Sequence, residues 1–192
     1  MTTRHLDLGC GDTPRNPFQA DHLYGLDQSA MFSSDKIRRC QLGLEPIPFE
    51  SEFFDSLSAF DVLEHLPRVA LNRQAGTLEF PFVFLMNEVW RVLKPGGRFL
   101  ALTPVYPAKQ AFQDPTHVNI IADNTHDYFC GENPLSRRYG FTGSFSASLI
   151  KKVMPEEVYF DSHTLRERMK FFRYRYLKRS LTHILWNLQA VK

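Results

Sequence analysis

The sequence contains few cysteines and no cysteine pair. Three cysteines, Cys10, Cys40 and Cys130, are spread over 192 residues without any Cys-x-x-Cys spacing. An odd number at wide spacing argues against a disulfide framework of the kind that stabilises small secreted domains. The same spacing lacks the paired thiolates of a structural zinc site. We therefore expect neither a disulfide nor a bound metal.

The chain also lacks a long hydrophobic segment and a strong excess of charge. No apolar run reaches the roughly 20 residues that span a bilayer, and the N-terminal Met-Thr-Thr-Arg-His has no signal-peptide core. These absences predict a cytoplasmic protein without a transmembrane segment. The formal net charge of +2 makes a nucleic-acid partner an unfavoured expectation. With 43% hydrophobic and 23% charged residues we expect a single domain over residues 1–192. The sequence does not predict its oligomeric state.

Two glycines follow an apolar segment almost at the N-terminus. Residues 5–12 read His-Leu-Asp-Leu-Gly-Cys-Gly-Asp, which predicts a buried strand that ends in a tight turn. Glycine adopts positive φ freely and lets a ligand lie against the backbone, so Gly9 and Gly11 indicate a ligand-binding turn around Cys10. A Gly-x-Gly pattern alone is weak evidence because it is common in ordinary turns.

Three later segments fall where a nucleoside-binding α/β sheet needs them. Leu23 to Asp27 predicts a second short strand that ends in an acid, sixteen residues past Gly11. Such sheets place the carboxylate for the ribose hydroxyls at a spacing of roughly 20 residues. The other two segments are FFDSLSAFDVLEHL, residues 53–66, and LKPGGRF, residues 93–99.

Together these segments resemble the class I S-adenosylmethionine-dependent methyltransferases, most closely over residues 4–104. The resemblance implies an enzyme with S-adenosylmethionine as cofactor. It also implies a doubly wound α/β fold with a mostly parallel seven-stranded sheet and an antiparallel C-terminal strand. In this family the glycine turn passes under the cofactor, the acid after the second strand takes the ribose hydroxyls, and the end of the fourth strand lines the methionine end. The cofactor-binding residues that the resemblance implies are Asp7, Gly9, Cys10, Gly11, Asp27, Gln28, Gln41, Leu42, Ala59, Phe60 and Asp61.

The chain departs from the family pattern in three places. Asp12 to Pro17 contains two prolines three residues apart where a helix usually follows the glycine turn, which predicts a loop. Gln41 stands where the family often has an acid beside the adenine, although an amide can still pair with an exocyclic amine. The first strand begins about four residues from the N-terminus, so we expect the helices that often precede it to be absent.

The remaining segments alternate strands and helices as a doubly wound sheet requires. We predict strands at 37–42, 55–59, 98–103, 145–153 and 182–191, a helical turn at 61–66 and an irregular loop at 69–77. Pro81, followed by apolar residues at helical spacing up to Leu93, predicts the clearest helix. A capping-box pair, Thr164 and Glu167, predicts another helix, whose apolar face is formed by Leu165, Met169, Phe172 and Tyr176.

Residues 105–143 show little periodicity and many aromatic, proline and glycine residues. Such a segment in a compact domain indicates a functional lid rather than a linker. It follows the fifth strand at the ligand edge of the sheet, so we expect it to supply the acceptor pocket. The predicted hinges are Gly131, Gly140 and Gly143, and the aromatic cover is Phe112, Tyr128, Phe129, Tyr139 and Phe141.

A catalytic base is needed only when the acceptor loses a proton, because methyl transfer is an in-line displacement at an activated carbon. We predict His117 as that base, since histidine accepts a proton near pH 7 with little environmental shift. The structural alternative is that residues 114–117, Asp-Pro-Thr-His, begin a helix. The other candidates after the fifth strand are Tyr106, Asp114 and His126.

A basic segment with interleaved aromatics lies near the C-terminus. Most such runs are solvated helix faces, and the minority alternative is an anionic partner such as phosphate or a membrane surface. Its basic residues are Arg166, Arg168, Lys170, Arg173, Arg175, Lys178 and Arg179.

Three functions remain open from the sequence. The leading one is methyl transfer from S-adenosylmethionine to a small-molecule or glycan-like acceptor, whose identity the sequence does not name. The second is a non-catalytic cofactor-binding or partner-binding protein of the same fold. The third, a nicotinamide dinucleotide oxidoreductase, is disfavoured because Pro14 stands where a Gly-x-Gly-x-x-Gly motif needs its third glycine.

Overall fold

The computed structural model describes residues 2–29, 31, 36–72, 76–160, 162–178 and 180–192. Its strands are β1 (Arg4–Leu8), β2 (His22–Asp27), β3 (Ile37–Arg39), β4 (Phe54–Phe60), β5 (Ala70–Asn72), β6 (Thr77–Glu79), β7 (Leu93–Pro104), β8 (Phe145–Val153) and β9 (His183–Ala190). Its α-helices are α1 (Pro81–Val92), α2 (Glu156–Tyr159) and α3 (Leu165–Phe172), and short 3₁₀ turns cover Leu63–His65, Lys109–Ala111, Thr125–Phe129 and Leu135–Tyr139.

Seven strands form one sheet in the order β3-β2-β1-β4-β7-β9-β8. The pairs within β3-β2-β1-β4-β7 are parallel, and the last strand, β9, pairs antiparallel with both β7 and β8. This arrangement confirms the predicted fold class. The strand order reverses between β1 and β4, which places a topological switch point, the usual ligand site of such sheets, at their carboxyl ends.

One face of the sheet is covered by α1, as its apolar spacing predicts. Pro81 occupies the first turn, and Leu85, Met86, Val89 and Val92 are buried at helical spacing. They belong to the main core cluster, together with the inward residues of the central strands: Leu6, Leu8, Leu57, Phe99 and Trp186. The helix ends at Val92 and β7 begins at once with Leu93 paired to Phe54, so β7 starts five residues earlier than the predicted strand.

The opposite face is covered near β1 by a loop, which confirms the loop predicted at 12–17. Residues 9–21, all of which the structure describes, contain no helix. The loop packs directly on β2 because Gly25 has no side chain: a Cβ there would lie 2.5 Å from Cys10 Sγ and 2.8 Å from Pro14 Cγ. The loop is also fixed from within, since the backbone N–H of Arg15 donates to the buried Asp7 carboxylate at 2.8 Å.

A buried polar chain lies under this loop. His5, with no exposed surface, lies 2.8 Å from Ser56 Oγ through Nδ1 and 2.8 Å from Ser58 Oγ through Nε2. Ser58 donates to Asp7 at 2.6 Å, so its hydroxyl accepts from His5 Nε2–H. Because burial lowers the pKa of His5 to about 4, the ring is neutral near pH 7, which leaves Nδ1 to accept from Ser56.

We expect His5 to make the protein less stable in mild acid. The folded state resists protonation of His5 until pH falls to about 4, whereas the unfolded chain takes up the proton near the ordinary value of 6.5. Between these values protonation favours unfolding, and the wild type should lose up to about 3 kcal/mol that a His5→Gln variant does not lose. Urea unfolding of both proteins from pH 7.5 to 4 measures the difference. The exposed His22→Gln variant is the control, and identical pH slopes for His5→Gln and wild type would contradict the prediction.

Two predicted segments differ from the structure. The third strand ends at Arg39 and not at Leu42, because Gln41 begins a turn: its carbonyl accepts from Leu44 and Glu45, and its N–H donates to the Glu45 carboxylate at 2.8 Å. The segment predicted as a loop at 69–77 contains part of an antiparallel pair, β5 with β6, in which Asn72 pairs with Thr77. Residues 73–75 of that segment lie outside the described residues.

The C-terminal helix α3 has the predicted capping box but not the expected packing. Thr164 accepts from Glu167 N, and the Glu167 carboxylate accepts from Thr164 N at 2.8 Å. The predicted apolar face is exposed, since Leu165 is 75% and Met169 65% accessible. Instead, Phe171 is buried against His163, and Lys170 and Arg175 attach the helix and its π-helical continuation (Arg173–Lys178) to the acids of α2. Arg179 of the basic run lies outside the described residues; the others lie on this helix and its continuation.

Candidate functional site

A cavity of about 540 Å³ opens at the switch point, beyond the carboxyl ends of β1, β2 and β4. Its size falls within the roughly 300–1,000 Å³ typical of small-ligand sites. The cavity lies where the sequence predicts the cofactor, although the lining also includes residues outside the predicted set. It is lined by Gly9, Asp27, Gln28, Gln41, Leu42, Leu44, Asp61, Val62, His65, Leu66, Pro67 and Thr116.

The glycine turn forms one edge of the cavity. Gly9 and Gly11 both have positive φ, +65° and +59°, and the N–H groups of Gly9 and Cys10 donate to Leu26 O at 2.8 and 3.1 Å. The two glycines serve different purposes. A Cβ on Gly9 would lie 2.5 Å from Val62 Cγ2, whereas a Cβ on Gly11 would meet no described atom within 4 Å. Gly9 is therefore required by packing, and Gly11 borders open space in which a ligand can approach the backbone.

Asp27 closes the turn at the end of β2. One carboxylate oxygen accepts from Gly11 N at 2.9 Å and the other from Ser29 N at 2.8 Å. Each carboxylate oxygen can accept a further hydrogen bond, and Asp27 lines the cavity. The side chain thus ties the glycine turn to β2 and keeps acceptor capacity for two neighbouring hydroxyls.

Asp7 lies beneath the turn and does not line the cavity. It is fully buried, and its two oxygens accept from Ser58 Oγ and Arg15 N. Burial raises the pKa of Asp7 to about 6, and these hydrogen bonds act in the opposite direction. Asp7 therefore supports the turn from below, which is the structural role that a buried acid in this position can have without touching a ligand.

Of the three residues predicted to line the cavity at the end of β4, Asp61 does so and Ala59 and Phe60 do not. Ala59 and Phe60 are buried, whereas Asp61 lies on the lining with a φ of +54°. One Asp61 oxygen accepts from the hydroxyl of Tyr159, and the other has no hydrogen-bond partner among the described residues. His183 Nε2 is 3.6 Å from this second oxygen.

Beyond Asp61 the wall is formed by His65 and Thr116, and the buried side chains of Glu64 and His117 lie next to this wall without lining the cavity. His65 and Thr116 line the cavity, and the His65 and His117 rings meet edge to face with centroids 4.6 Å apart. Glu64 is 1% exposed and accepts from Thr103 Oγ1 at 3.0 Å. Burial raises the pKa of Glu64 to about 8, and the negative charge of Asp61 acts in the same direction.

The segment that carries His117 is a turn and does not begin a helix. Asp114 accepts from both the backbone N and the hydroxyl of Thr116, at 2.8 and 2.6 Å, so it closes the turn on itself. The N–H groups of Val118 and Asn119 then both donate to Glu64 O. These bonds place His117 next to His65, a proximity that the 51 residues between them in the sequence do not reveal.

Residues 6–101, half of the chain, match the family described as a methyltransferase domain. The chain belongs to the class I S-adenosylmethionine-dependent methyltransferases. No curated protein matches it. Within the described residues, every helix is too short or too polar to cross a bilayer.

Several solved structures share the methyltransferase fold at low sequence identity. An S-adenosylmethionine-dependent methyltransferase from Mesorhizobium loti is 15% identical with a TM-score of 0.57, over 98% of this chain and 91% of the other. The Streptomyces coelicolor geranyl diphosphate C-methyltransferase, solved with Mg²⁺, geranyl diphosphate and S-adenosyl-L-homocysteine, is 16% identical with a TM-score of 0.57 (98% and 74%). The 4+2 cyclase SpnF is 16% identical with a TM-score of 0.56 (99% and 76%). These similarities show the fold and leave the acceptor open.

The structure brings together part of the predicted cofactor set. The six predicted residues that line the cavity are Gly9, Asp27, Gln28, Gln41, Leu42 and Asp61, and the five that do not are Asp7, Cys10, Gly11, Ala59 and Phe60. Of the latter, Gly11 borders open space. Sequence reasoning placed neither Thr116 nor Val62 at the site. Val62 could have been predicted from the sequence, because a residue directly after Asp61 must lie near the glycine turn.

Proposed function

We propose that this methyltransferase-family chain transfers a methyl group from S-adenosylmethionine to a small-molecule or glycan-like acceptor. The observation that carries the proposal is the pairing of the open glycine turn with Asp27 at a cavity on the switch point. These are the parts that hold a nucleoside in such sheets.

The residues of the cavity fit the parts of the cofactor. Asp27 has acceptor capacity for the two ribose hydroxyls, Gln41 can pair with the adenine amine, and the carboxylate of Asp61 on the lining suits a positively charged amino group. The space beside Gly11 admits a ligand close to the backbone. When bound, S-adenosylmethionine supplies a methyl group activated by positive sulfur, so the chain mainly has to position the acceptor and exclude water.

The acceptor would lie against the wall formed by His65 and Thr116. His65 follows β4 and Gln41 follows β3, and these two strands lie on opposite sides of β1 in the sheet, so this wall lies away from the proposed adenine position. A hydroxyl acceptor must lose a proton there, whereas a neutral amine need not. His117 stays our predicted base, although its side chain is only 9% exposed and His65 is the histidine that lines the cavity. The proton path from the acceptor would therefore include His65.

A non-catalytic role is the second candidate. The observation that favours it is the loop at 12–17, which leaves the cofactor turn without the helix that usually follows it. The same absence, together with the family match, argues against a dinucleotide cofactor, because no helix N-terminus follows the turn to hold a pyrophosphate.

Calorimetry and turnover separate these functions. We expect the protein to bind S-adenosylmethionine and S-adenosylhomocysteine but not NADH, and to release S-adenosylhomocysteine when supplied with an extract that contains its acceptor. Binding without turnover on any extract would favour the non-catalytic role. Binding of NADH, or of none of these ligands, by folded protein would contradict the proposal.

We propose that the mobile part of the predicted lid is residues 106–117. Several residues after this segment are packed: Ile121, Phe129 and Phe141 lie in the main core, and a Cβ on the predicted hinge Gly143 would lie 2.6 Å from Trp90. Tyr106 and Phe112, which belong to the same segment as Thr116, are 54% and 52% exposed. Hydrogen exchange should show S-adenosylhomocysteine protecting 106–117 but not 129–141. Equal exchange of 106–117 with and without ligand would rule out the lid.

A further inference from the structure

A carboxylate and two histidines lie together beside the cavity, and one of them, His65, lines it. Glu64, His65 and His117 each present one metal-ligating atom, and these three atoms lie within 4.8 Å of one another. Donor atoms bound to one ion lie roughly 3–3.5 Å apart, since metal–nitrogen and metal–oxygen bonds measure about 2.0–2.2 Å. Binding of an ion would require side-chain rotations that bring these atoms closer together.

Two buried atoms of this group have nothing to bind in the described chain. Glu64 Oε1 and His117 Nδ1 are both inaccessible and without a hydrogen-bond partner among the described residues. Their residues are well packed, with Glu64 1% exposed and the His117 side chain 9% exposed. A buried polar atom without a partner is costly and uncommon. If Oε1 carried a proton, its O–H would also need an acceptor, so protonation of Glu64 does not remove the problem.

Asp114 orients His65 toward ligation through Thr116. Thr116 Oγ1 donates to Asp114, so at 2.9 Å it accepts from His65 Nδ1–H, which leaves the lone pair of His65 on Nε2. His117 Nδ1, buried and without a described partner, is the ring nitrogen left to bind an ion, and Asp114 Oδ2 lies 4.0 Å from the other nitrogen, Nε2. Carboxylates that orient histidines in this way recur around protein metal sites.

We propose that Glu64, His65 and His117 bind one divalent transition-metal ion at the wall of the cavity. Two imidazoles and one carboxylate suit Zn²⁺, Mn²⁺, Fe²⁺ or Co²⁺ better than Mg²⁺, which prefers oxygen ligands. Three protein ligands leave further coordination positions open. Because His65 lines the cavity, these positions would receive an oxygen atom of the acceptor, and this part rests on the proposed function. A metal-bound acceptor hydroxyl would lose its proton to water more readily than a free one. His117 would then act as a metal ligand and not as the catalytic base.

The test is metal binding by the full chain, measured without any methyl donor. After treatment with chelator, the protein should bind one equivalent of Zn²⁺ by calorimetry, and Co²⁺ should give the visible absorption of a nitrogen-ligated ion. Mg²⁺ should not compete. We expect Zn²⁺ binding to weaken by roughly a hundredfold in each of the variants Glu64→Gln, His65→Asn and His117→Asn. Loss of a residue that only hydrogen-bonds to a metal ligand already weakens metal binding by about 10- to 100-fold.

His126→Asn is the matched control. His126 is a largely buried histidine on the same segment, its Nδ1 also lacks a described partner, and its Nε2 lies 3.1 Å from Asp127, but it is not part of the three-residue group. Absence of Zn²⁺ binding by the wild type would overturn the proposal, as would variants of the group that bind like the wild type. Should Glu64→Gln or His117→Asn fail to fold, the exposed His65→Asn decides. S-adenosylhomocysteine binding, measured separately with chelator present, tests the proposed function, so the two can fail independently.

Discussion

Replacement of Asp27 by alanine is expected to lower the affinity for S-adenosylhomocysteine by tenfold to several hundredfold. The carboxylate lines the cavity and retains one acceptor position on each oxygen beyond those used by Gly11 N and Ser29 N. A hydrogen bond to a charged group contributes about 1.5–3 kcal/mol, and the ribose would lose one or both. Calorimetry on folded Asp27→Ala measures the loss directly.

The control must separate ligand contact from support of the turn, because Asp27 also holds Gly11. Asp55 provides it: this carboxylate, at the other end of β4, also accepts from a backbone N–H, that of Arg4 at 2.8 Å, and from Lys94 Nζ at 2.7 Å. Asp55→Ala should lower the free energy of unfolding by a similar amount to Asp27→Ala yet keep the wild-type affinity. If Asp27→Ala binds S-adenosylhomocysteine as the wild type does, Asp27 does not hold the ribose.

The sequence predicts the fold well wherever local chemistry decides the structure. The two prolines at 14 and 17 forbid a regular helix, and the structure has none there. The apolar spacing after Pro81 and the capping box at Thr164 likewise predict α1 and the start of α3 correctly. In these segments the information lies within a few neighbouring residues, so the prediction does not depend on knowing the tertiary contacts.

Contacts between distant segments account for what the sequence did not predict. The apolar residues of α3 have helical spacing, but which face packs depends on where α2 lies, and the buried residue proved to be Phe171. His65 and His117 meet where the Val118 and Asn119 N–H groups donate to Glu64 O and the Asn119 side chain donates to Leu63 O and Leu66 O. No pattern in a single sequence encodes these long-range pairings.

The substitution Gly11→Val is expected to abolish cofactor binding while the fold persists. A Cβ at this position meets no described atom within 4 Å, so the added side chain would stand in the space beside the turn. The φ of +59° disfavours a β-branched residue and costs about 1–2 kcal/mol of stability. We expect the affinity for S-adenosylhomocysteine to fall by at least roughly a hundredfold, more than strain alone explains.

Two further variants separate strain from obstruction. Gly131 also has positive φ, +88°, and open space at its Cβ, but its N–H donates to Phe145 O at the start of β8, whereas Gly11 N–H donates to Asp27 on the cavity lining. Gly131→Val should therefore cost similar stability without loss of affinity. Gly9→Ala should behave in the opposite way to Gly11→Val, because its Cβ meets Val62 Cγ2 at 2.5 Å and the main effect is on stability. Thermal unfolding and calorimetry on the three variants give the comparison. Normal S-adenosylhomocysteine binding by Gly11→Val would place the cofactor away from the glycine turn. It would thereby also contradict the proposed role of Asp27.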